Sequence, residues 1–314
     1  MTLTRWSLGG RTGRLWRLLV RSRPRFWLYT AGPVLVGVAY GAASTAELVT
    51  PLSVALFAYF LLPANVFLYG VNDVFDADAD TVNPKKGGDH ADGGGSTDAT
   101  DTDATASGGD ASTARELRYG GDTREAAAVA VAGLLGVVLL FVVPPRAAPW
   151  IAGFLVLGTA YSAPPLRLKT TPLFDSVSNG LYVLPGVAAY VALAGQVPPL
   201  PALVGAWLWT MAMHTFSAIP DIEPDREAGL LTTATVLGER RTLLYVGAVW
   251  TLAAAAFGLL DPRAGALLAV YPLLVAAIAA ADVDVARAYW WYPAVNTVVG
   301  MVLTLFGLWG LVHG

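Results

Sequence analysis

The chain has 314 residues, no cysteine and a formal net charge of −3, and 55% of its residues are hydrophobic while 14% are charged. Soluble domains carry about 25% charged residues, so this chain has too little polar surface for an ordinary water-soluble protein and is expected to lie in a lipid bilayer. The composition excludes a disulfide-rich secreted scaffold and thiol chemistry, and it lacks the basic surface of a nucleic-acid-binding protein.

Long apolar stretches recur along almost the whole sequence, and a transmembrane helix needs roughly 20 mostly apolar residues. We therefore expect an all-α, polytopic membrane protein with a basic segment over residues 1–25 and a membrane domain over residues 26–314. The nine predicted spans lie near residues 26–44, 50–71, 125–143, 148–164, 174–194, 200–220, 242–260, 264–281 and 289–312.

The basic residues are distributed unevenly between the predicted loops. With a cytoplasmic N-terminus, all of the 20 Lys and Arg residues except Arg146 and Arg263 fall in cytoplasmic segments. Cytoplasmic loops of membrane proteins carry such an excess of Lys and Arg. The sequence therefore predicts a multi-pass protein of the cell membrane with its N-terminus on the cytoplasmic side.

Residues 87–113 interrupt the apolar pattern between the second and third predicted spans. They are Gly, Asp, Ala, Thr and Ser with one His, and they include no large apolar or aromatic side chain. Such a segment buries too little surface to offset the entropy of ordering it. We expect a disordered, acidic cytoplasmic insertion whose deletion leaves folding and activity intact.

An acidic motif follows the second predicted span directly. A continued helix places Asn72, Asp73, Asp76 and Asp80 on one face, on successive turns. Like charges on adjacent turns repel, so the cluster needs a cation. Oxygen ligands with open positions suit Mg²⁺, which keeps some waters and is usually completed by substrate phosphates.

A second acidic motif follows the sixth predicted span, with Asp221 and Asp225 one helical turn apart. The predicted topology puts both motifs on the cytoplasmic side. Either motif alone is equally consistent with a solvated helix end and with a binding site. Together the two motifs have the chemistry that a diphosphate carrying Mg²⁺ requires. The sequence therefore predicts a site for a diphosphate ester at the cytoplasmic end of the spans.

A third polar element, Tyr161, Ser162, Arg167 and Lys169, follows the fourth predicted span. The two cations would lie on the same side as the acidic motifs, where they would neutralise phosphate oxygens that no metal holds. The alternative is that these two cations only help to set the orientation of the protein in the membrane.

These three motifs, in this order and at these span ends, resemble the UbiA superfamily of intramembrane prenyltransferases. The first acidic motif matches N-D-x-x-D-x-x-x-D in full, the second matches D-x-x-x-D, and the Tyr-Ser motif is followed by a basic residue as in the family. The resemblance covers all nine predicted spans but not the insertion at 87–113. It implies nine helices around a central cavity open to the cytoplasmic side, with Mg²⁺ and an allylic isoprenoid diphosphate at that end.

Within the superfamily, the stretch from Met213 to Gly229 and the runs at 83–86 and 169–176 resemble haloarchaeal lycopene elongases of C50 carotenoid (bacterioruberin) synthesis. The resemblance implies dimethylallyl transfer to lycopene, with or without hydration. The residues themselves leave other lipophilic acceptors open, namely a quinone precursor, a chlorin or geranylgeranylglyceryl phosphate. A cation-coupled transporter is the alternative of another class, but transporters place their sites near the bilayer midplane.

The expected site residues take three roles. His214 lies seven residues before Asp221, two turns deeper on the same helix face, where it would act as a base or hold a water. Tyr69, Tyr161 and Phe216 would present aromatic faces to an allylic cation. The catalytic candidates are Asn72, Asp73, Asp76, Asp80, Asp221, Asp225 and His214, of which the five aspartates would bind Mg²⁺; the substrate-binding candidates are Tyr161, Ser162, Arg167, Lys169, Tyr69 and Phe216.

Overall fold

The computed structural model describes residues 19–20, 22–82 and 123–313, without the side chains of residues 76–82 and 125. Every regular element in these ranges is helical, and they contain no β-strand. The expectation of an all-α protein is confirmed for this part of the chain. The predicted insertion at 87–113 and most of the basic segment at 1–25 lie outside the described residues.

The first half of the described chain forms five helices, with short 3₁₀ turns at Pro24–Phe26 and Thr45–Val49 before and after the first of them. Proline occupies the first position of the second and third helices, where its missing N–H costs nothing. These helices are α1 (Trp27–Gly41), α2 (Pro51–Leu61), α3 (Pro63–Val82), α4 (Thr123–Val142) and α5 (Ala148–Ser162).

The second half begins with an interrupted helix, in which a 3₁₀ turn over Ser178–Tyr182 separates α6 (Phe174–Val177) from α7 (Leu184–Ala194). Further short 3₁₀ turns lie at Leu168–Thr170 and Ile219–Asp221. The remaining helices are α8 (Leu200–Ser217), α9 (Ile222–Glu227), α10 (Thr233–Leu237), α11 (Glu239–Gly258), α12 (Pro262–Leu268), α13 (Val270–Ala280) and α14 (Val285–His313).

Six continuous helical stretches of the described chain are long and apolar enough to cross a membrane. Helices α1 and α5 have 15 residues each, and α4 has a 17-residue apolar part, so they fall short of the usual length. The predicted count of nine spans therefore stays a prediction. The six stretches are Pro51–Phe75, Phe174–Ala194, Leu200–Glu227, Glu239–Gly258, Pro262–Ala280 and Val285–His313.

Polar side chains compensate for the break between α2 and α3. Asn65 is fully buried, and its Nδ2 donates to the carbonyl oxygens of Phe60 (3.1 Å) and Leu61 (3.0 Å) and to Thr30 Oγ1 (2.7 Å). A carbonyl group without a partner is costly in a membrane interior, and neighbouring side chains commonly satisfy it at helix breaks. Asn65 therefore has a structural role that hydropathy alone does not reveal.

Two apolar clusters hold the helices together. One joins side chains of α1, α2, α3, α4, α5 and α7, and the other joins side chains of α8, α11, α13 and α14. Helices α1 and α7 approach most closely at two glycines: a Cβ added to Gly37 would lie 2.1 Å from the carbonyl oxygen of Gly186. Small residues permit such close backbone approach between membrane helices.

We expect the substitution Gly37→Ala to lower the free energy of unfolding by about 3 kcal/mol, because the added methyl group forces α1 and α7 apart. Gly32→Ala is the matched control, since an added Cβ at this position of the same helix has no atom within 4 Å. Thermal unfolding in detergent, followed by circular dichroism, measures both. Equal melting temperatures for the two variants would contradict the proposed close packing.

Candidate active site

A cavity of about 330 Å³ lies between the helices. Its wall combines polar residues, among them residues of the first and second acidic motifs, with aromatic and aliphatic side chains. The polar residues are Arg23, Asn72, Asn179, Thr210, His214, Ser217 and Asp221; the aromatic residues are Phe26, Tyr29, Tyr69, Tyr161, Tyr182, Trp209 and Tyr289; Leu68, Leu181 and Met213 complete the wall.

The structure joins the first acidic motif to the Tyr-Ser motif through Asn72. The Asn72 Oδ1 atom accepts hydrogen bonds from Ser162 Oγ (2.8 Å) and from Lys169 Nζ (2.9 Å). An amide oxygen has two lone pairs, and both are directed at these donors. In this arrangement Asn72 orients the neighbouring groups rather than presenting its oxygen to a metal ion.

Helix α3 continues through the whole first motif, as the sequence predicts. Asp73 is half-buried next to Asn72, and the backbone of Asp76 and Asp80 is helical. The side chains of Asp76 and Asp80 lie outside the described part of the structure, so their predicted contacts remain a prediction.

The second acidic motif begins in the 3₁₀ turn after α8 and continues into α9. Asp221 lines the cavity, and Asp225 is half-buried one turn further along. The Arg226 guanidinium pairs with Glu223 (2.9 Å) and also donates from Nε (3.1 Å) and Nη2 (2.8 Å) to the carbonyl oxygen of Thr235. The two hydrogen bonds to Thr235 fix α9 against α10 and so hold Asp221 at the cavity.

The donor set is of the kind that Mg²⁺ prefers. Asp73, Asp221 and Asp225 supply hard carboxylate oxygens, and no cysteine competes for a softer metal. Among the described residues no group of three His, Asp or Glu side chains is close enough to hold a metal ion by itself. The residues therefore fit a Mg²⁺ ion that is partly held by water and by the phosphate oxygens of a substrate.

His214 lines the cavity beside Tyr161. The Tyr161 hydroxyl lies 3.4 Å from His214 Nε2, and the two rings meet edge to face with centroids 6.0 Å apart. Asp221 also lines this cavity, although α8 ends at Ser217 and Asp221 belongs to the 3₁₀ turn that follows. The pair presents a hydroxyl and an imidazole to whatever occupies the cavity.

Tyr69 lies in the cavity wall as predicted. The Arg23 guanidinium lies over its ring, 4.6 Å from the centroid, and Tyr182 lines the same cavity. Tyr182 in turn meets the ring of Tyr29 edge to face at 6.3 Å. The rings of Tyr29, Tyr69 and Tyr182 thus form an aromatic part of the cavity wall.

Phe216 is not among the residues that line the cavity. Its side chain is fully buried, and its ring packs against Tyr292 (4.5 Å between centroids) and Trp250 (5.7 Å) in the second apolar cluster. Because Phe216 follows His214 by two residues on α8, it points about 200° away around the helix axis. The structure thus gives Phe216 a packing role in place of the expected contact with substrate.

Arg23 is a cavity residue that the sequence reasoning did not select. It lies in the Arg-rich start of the chain, where its charge looks like one of seven that set topology. Arg25 Nη2 donates to the Trp290 carbonyl oxygen (2.6 Å), and its guanidinium lies 4.0 Å from the Trp290 ring centroid. This contact ties the segment to α14 and brings Arg23 to the cavity, which no feature of the sequence indicates.

The sequence matches the model of the UbiA prenyltransferase family over residues 122–297. It is 60% identical over 306 residues to a lycopene elongase/hydratase of Haloferax volcanii, covering 98% of this chain and 93% of that protein. It is 56% identical over 297 residues to a lycopene elongase/hydratase of Halobacterium salinarum, covering 95% and 98% of the two chains.

The fold is similar to that of a UbiA homologue from Archaeoglobus fulgidus whose structure was solved with DMAPP and Mg²⁺ bound. The TM-score is 0.65, the sequence identity is 18%, and the match covers 95% of this chain and 100% of the other. At this identity the likeness concerns the fold alone, and it agrees with the family match.

Proposed function

Because this chain belongs to the UbiA prenyltransferase family and is a prenyltransferase, we propose that it transfers a dimethylallyl group from its diphosphate to lycopene, with Mg²⁺ as cofactor. One observation carries the proposal: Asn72 and Asp221, from the two acidic motifs, line one cavity whose remaining wall is largely aromatic. The polar groups of this wall suit a diphosphate, and its aromatic side chains suit an isoprenoid chain and the cation derived from it.

Asp73, Asp76, Asp80, Asp221 and Asp225 would hold Mg²⁺ together with the diphosphate oxygens. When bound, this metal supplies a positive charge that stabilises the departing diphosphate. Arg167, Lys169 and Arg23 are the nearby cations of the chain that would add to this effect. Lys169 is held by Asn72, so its ammonium group is oriented before the donor arrives.

The reaction begins when the bond between C1 of the donor and the diphosphate oxygen breaks and the electron pair leaves with the diphosphate. Tyr69, Tyr182 and Tyr161 lie in the cavity wall, where their ring faces would stabilise the allylic cation. A terminal double bond of lycopene then forms the new carbon–carbon bond to C1 and becomes a tertiary cation. That cation either loses a proton to a base or takes up water and releases a proton.

His214 and Tyr161 are the groups that we assign to this last step. The imidazole lies in the cavity wall, 3.4 Å from the Tyr161 hydroxyl. It would accept the released proton directly or hold the water that adds to the cation. The tyrosine hydroxyl would keep the imidazole ring in place.

We expect His214→Phe to reduce turnover by about 100-fold, because a positioned general base contributes at least that much, and to change the ratio of hydrated to unhydrated product. His313→Phe is the control: His313 is exposed and stacks on Trp309 near the far end of α14, with ring centroids 4.1 Å apart. Product masses and amounts after a fixed time measure both variants. Unchanged amounts and ratio for His214→Phe would remove His214 from the mechanism.

The proposal also includes the number of membrane spans and the side of the membrane on which the cavity opens. Nine spans with a cytoplasmic N-terminus would put the acidic motifs, and with them the mouth of the cavity, on the cytoplasmic side, where a water-soluble diphosphate is made available. The uneven distribution of Lys and Arg supports this orientation.

The proposal is tested by incubating the purified protein in detergent with Mg²⁺, dimethylallyl diphosphate and lycopene and reading the product masses. Addition of a five-carbon unit, with or without water, is the expected result. If lycopene is unchanged while a quinone precursor, a chlorin or geranylgeranylglyceryl phosphate is prenylated, the acceptor assignment is wrong. Cation flux in vesicles without any turnover would favour a transporter.

A further inference from the structure

Asp175 is a buried carboxylate that the mechanism above does not use. Its side chain is 1% exposed. Oδ2 accepts a hydrogen bond from the backbone N–H of Thr233 (2.8 Å), and Oδ1 accepts one from the Thr233 hydroxyl. Burying a carboxylate is costly unless it is hydrogen-bonded, so these contacts account for its presence on α6.

The partner of Asp175 belongs to the unit that carries the second acidic motif. Thr233 is the first residue of α10, and the Arg226 guanidinium of α9 holds the carbonyl oxygen of Thr235. Asp221 and Asp225 therefore lie on a segment whose position depends on where α10 is fixed. Asp175 fixes α10 at its first turn.

Asp175 is also connected to the first acidic motif, through the loop that precedes α6. The backbone N–H of Leu173 donates to Thr233 Oγ1 (2.7 Å), so the loop before α6 is held at the same point. That loop contains Lys169, whose Nζ donates to Asn72 of the first motif. Two polar links, one at each end of the 169–175 segment, thus connect the two acidic motifs through the protein.

Asp175 also reaches the cavity wall. Its backbone carbonyl oxygen accepts a hydrogen bond from Asn179 Nδ2 (2.6 Å), and Asn179 lines the cavity within the 3₁₀ turn between α6 and α7. The residue is therefore connected to three separate parts of the site by hydrogen bonds and by the 169–175 segment.

We propose that Asp175 is a positioning residue that sets the separation between the two acidic motifs and thereby the affinity for the Mg²⁺-bound diphosphate. The proposal rests on the function proposed above. Replacing a residue that orients a metal ligand without touching the metal typically changes metal affinity or activity by about 10- to 100-fold. The same range is expected here for the dissociation constant of the donor.

The test is equilibrium binding of dimethylallyl diphosphate with Mg²⁺ to the purified protein, without acceptor. Asp175→Asn keeps the shape but places an amide N–H against one of the two Thr233 donors. We expect it to raise the dissociation constant about 10- to 100-fold and, in turnover, to raise KM for the donor far more than it lowers kcat.

Ser176→Ala is the matched control for loss of buried hydrogen bonds. Ser176 is the next residue, fully buried, and bonds to Tyr245 (3.0 Å) and Thr215 (2.9 Å), away from α10. It should lower the melting temperature while leaving donor binding unchanged. Equal loss of donor affinity in Ser176→Ala and Asp175→Asn would mean that Asp175 only stabilises the fold and would overturn the proposal.

Thr233→Val and Thr233→Ser keep the test decisive if Asp175→Asn does not fold. The valine lacks the hydroxyl and should weaken donor binding, whereas the serine retains it and should bind as the unaltered protein does. In the double variant Asp175→Asn/Thr233→Val the losses should not add, because both remove one interaction. Unchanged binding in Thr233→Val would overturn the proposal; failure of the unaltered protein to bind the donor would instead refute the proposed function.

Discussion

Replacement of Asp221 by asparagine is expected to lower prenyl transfer by about 1,000-fold or more. The carboxylate lines the cavity at the start of α9, and the proposed mechanism uses it to hold the metal that stabilises the leaving diphosphate. Loss of one group that stabilises developing charge typically costs a factor of about 100 to 1,000, and here the loss also weakens metal binding. Asp73→Asn in the first motif should have the same effect.

The measurement is product formation from dimethylallyl diphosphate and lycopene at saturating Mg²⁺, with membrane insertion checked for each variant. Glu223→Gln is the control, because Glu223 lies two residues from Asp221 and is an exposed acid paired only with Arg226 in the contacts that the structure describes. Surface pairs of this kind contribute about 1 kcal/mol or less. Turnover of Asp221→Asn near that of Glu223→Gln would contradict the proposed metal site.

Removal of divalent cations is expected to stop the reaction completely and reversibly. The aspartates of the two motifs cannot bind a diphosphate without a cation between them, because both partners are negatively charged. EDTA should therefore abolish turnover, and added Mg²⁺ should restore it. Ca²⁺ should restore much less, because it is larger and takes more ligands at longer distances.

The melting temperature of the protein without donor serves as the control for metal removal. It should be the same with and without EDTA, since the proposed Mg²⁺ ion is held in part by water and by the phosphate oxygens of the donor. Full turnover in EDTA would refute the metal requirement. A large fall in melting temperature would assign the metal a structural role instead.

The ends of several helices could be predicted from the sequence because charged residues and prolines mark them. The predicted span at 200–220 corresponds to α8 (Leu200–Ser217), and the one at 125–143 corresponds to α4 (Thr123–Val142). The predicted span at 174–194 coincides with the helical stretch Phe174–Ala194, within which Ser178–Tyr182 is a 3₁₀ turn. Its hydrogen bond from Asn179 to Asp175 is a local contact that hydropathy does not report.

Site residues could be predicted from the sequence when their spacing along the chain was enough to place them together. They could not be predicted when the choice depended on which side of a helix faces the cavity. Seven residues separate His214 from Asp221, and both line the cavity. Choosing Phe216 as well required knowing which side of α8 faces inward, which depends on its neighbours α11 and α14. Arg23 was missed for the same reason, since only its contacts across the fold distinguish it from the other arginines.

The chemistry of Asn72 became specific only with the side chains in place. The sequence left two roles open, completing the metal shell or orienting a carboxylate, and the structure shows a hydroxyl and an ammonium group as its partners. The hydrogen bonds from Ser162 and Lys169 occupy the amide oxygen and favour an orienting role. No spacing rule links residue 72 to residue 169, so this contact depends on the tertiary fold.

The cavity wall includes Arg23, Phe26 and Tyr29 from the beginning of the described chain and Tyr289 from its last helix. A ribosome makes Arg23, Phe26 and Tyr29 long before Tyr289, and domains form as their parts become available. The wall is complete only when α14 has been inserted and Arg25 has met Trp290. A nascent chain therefore contains both acidic motifs well before it has the complete cavity wall that would surround a reactive allylic cation.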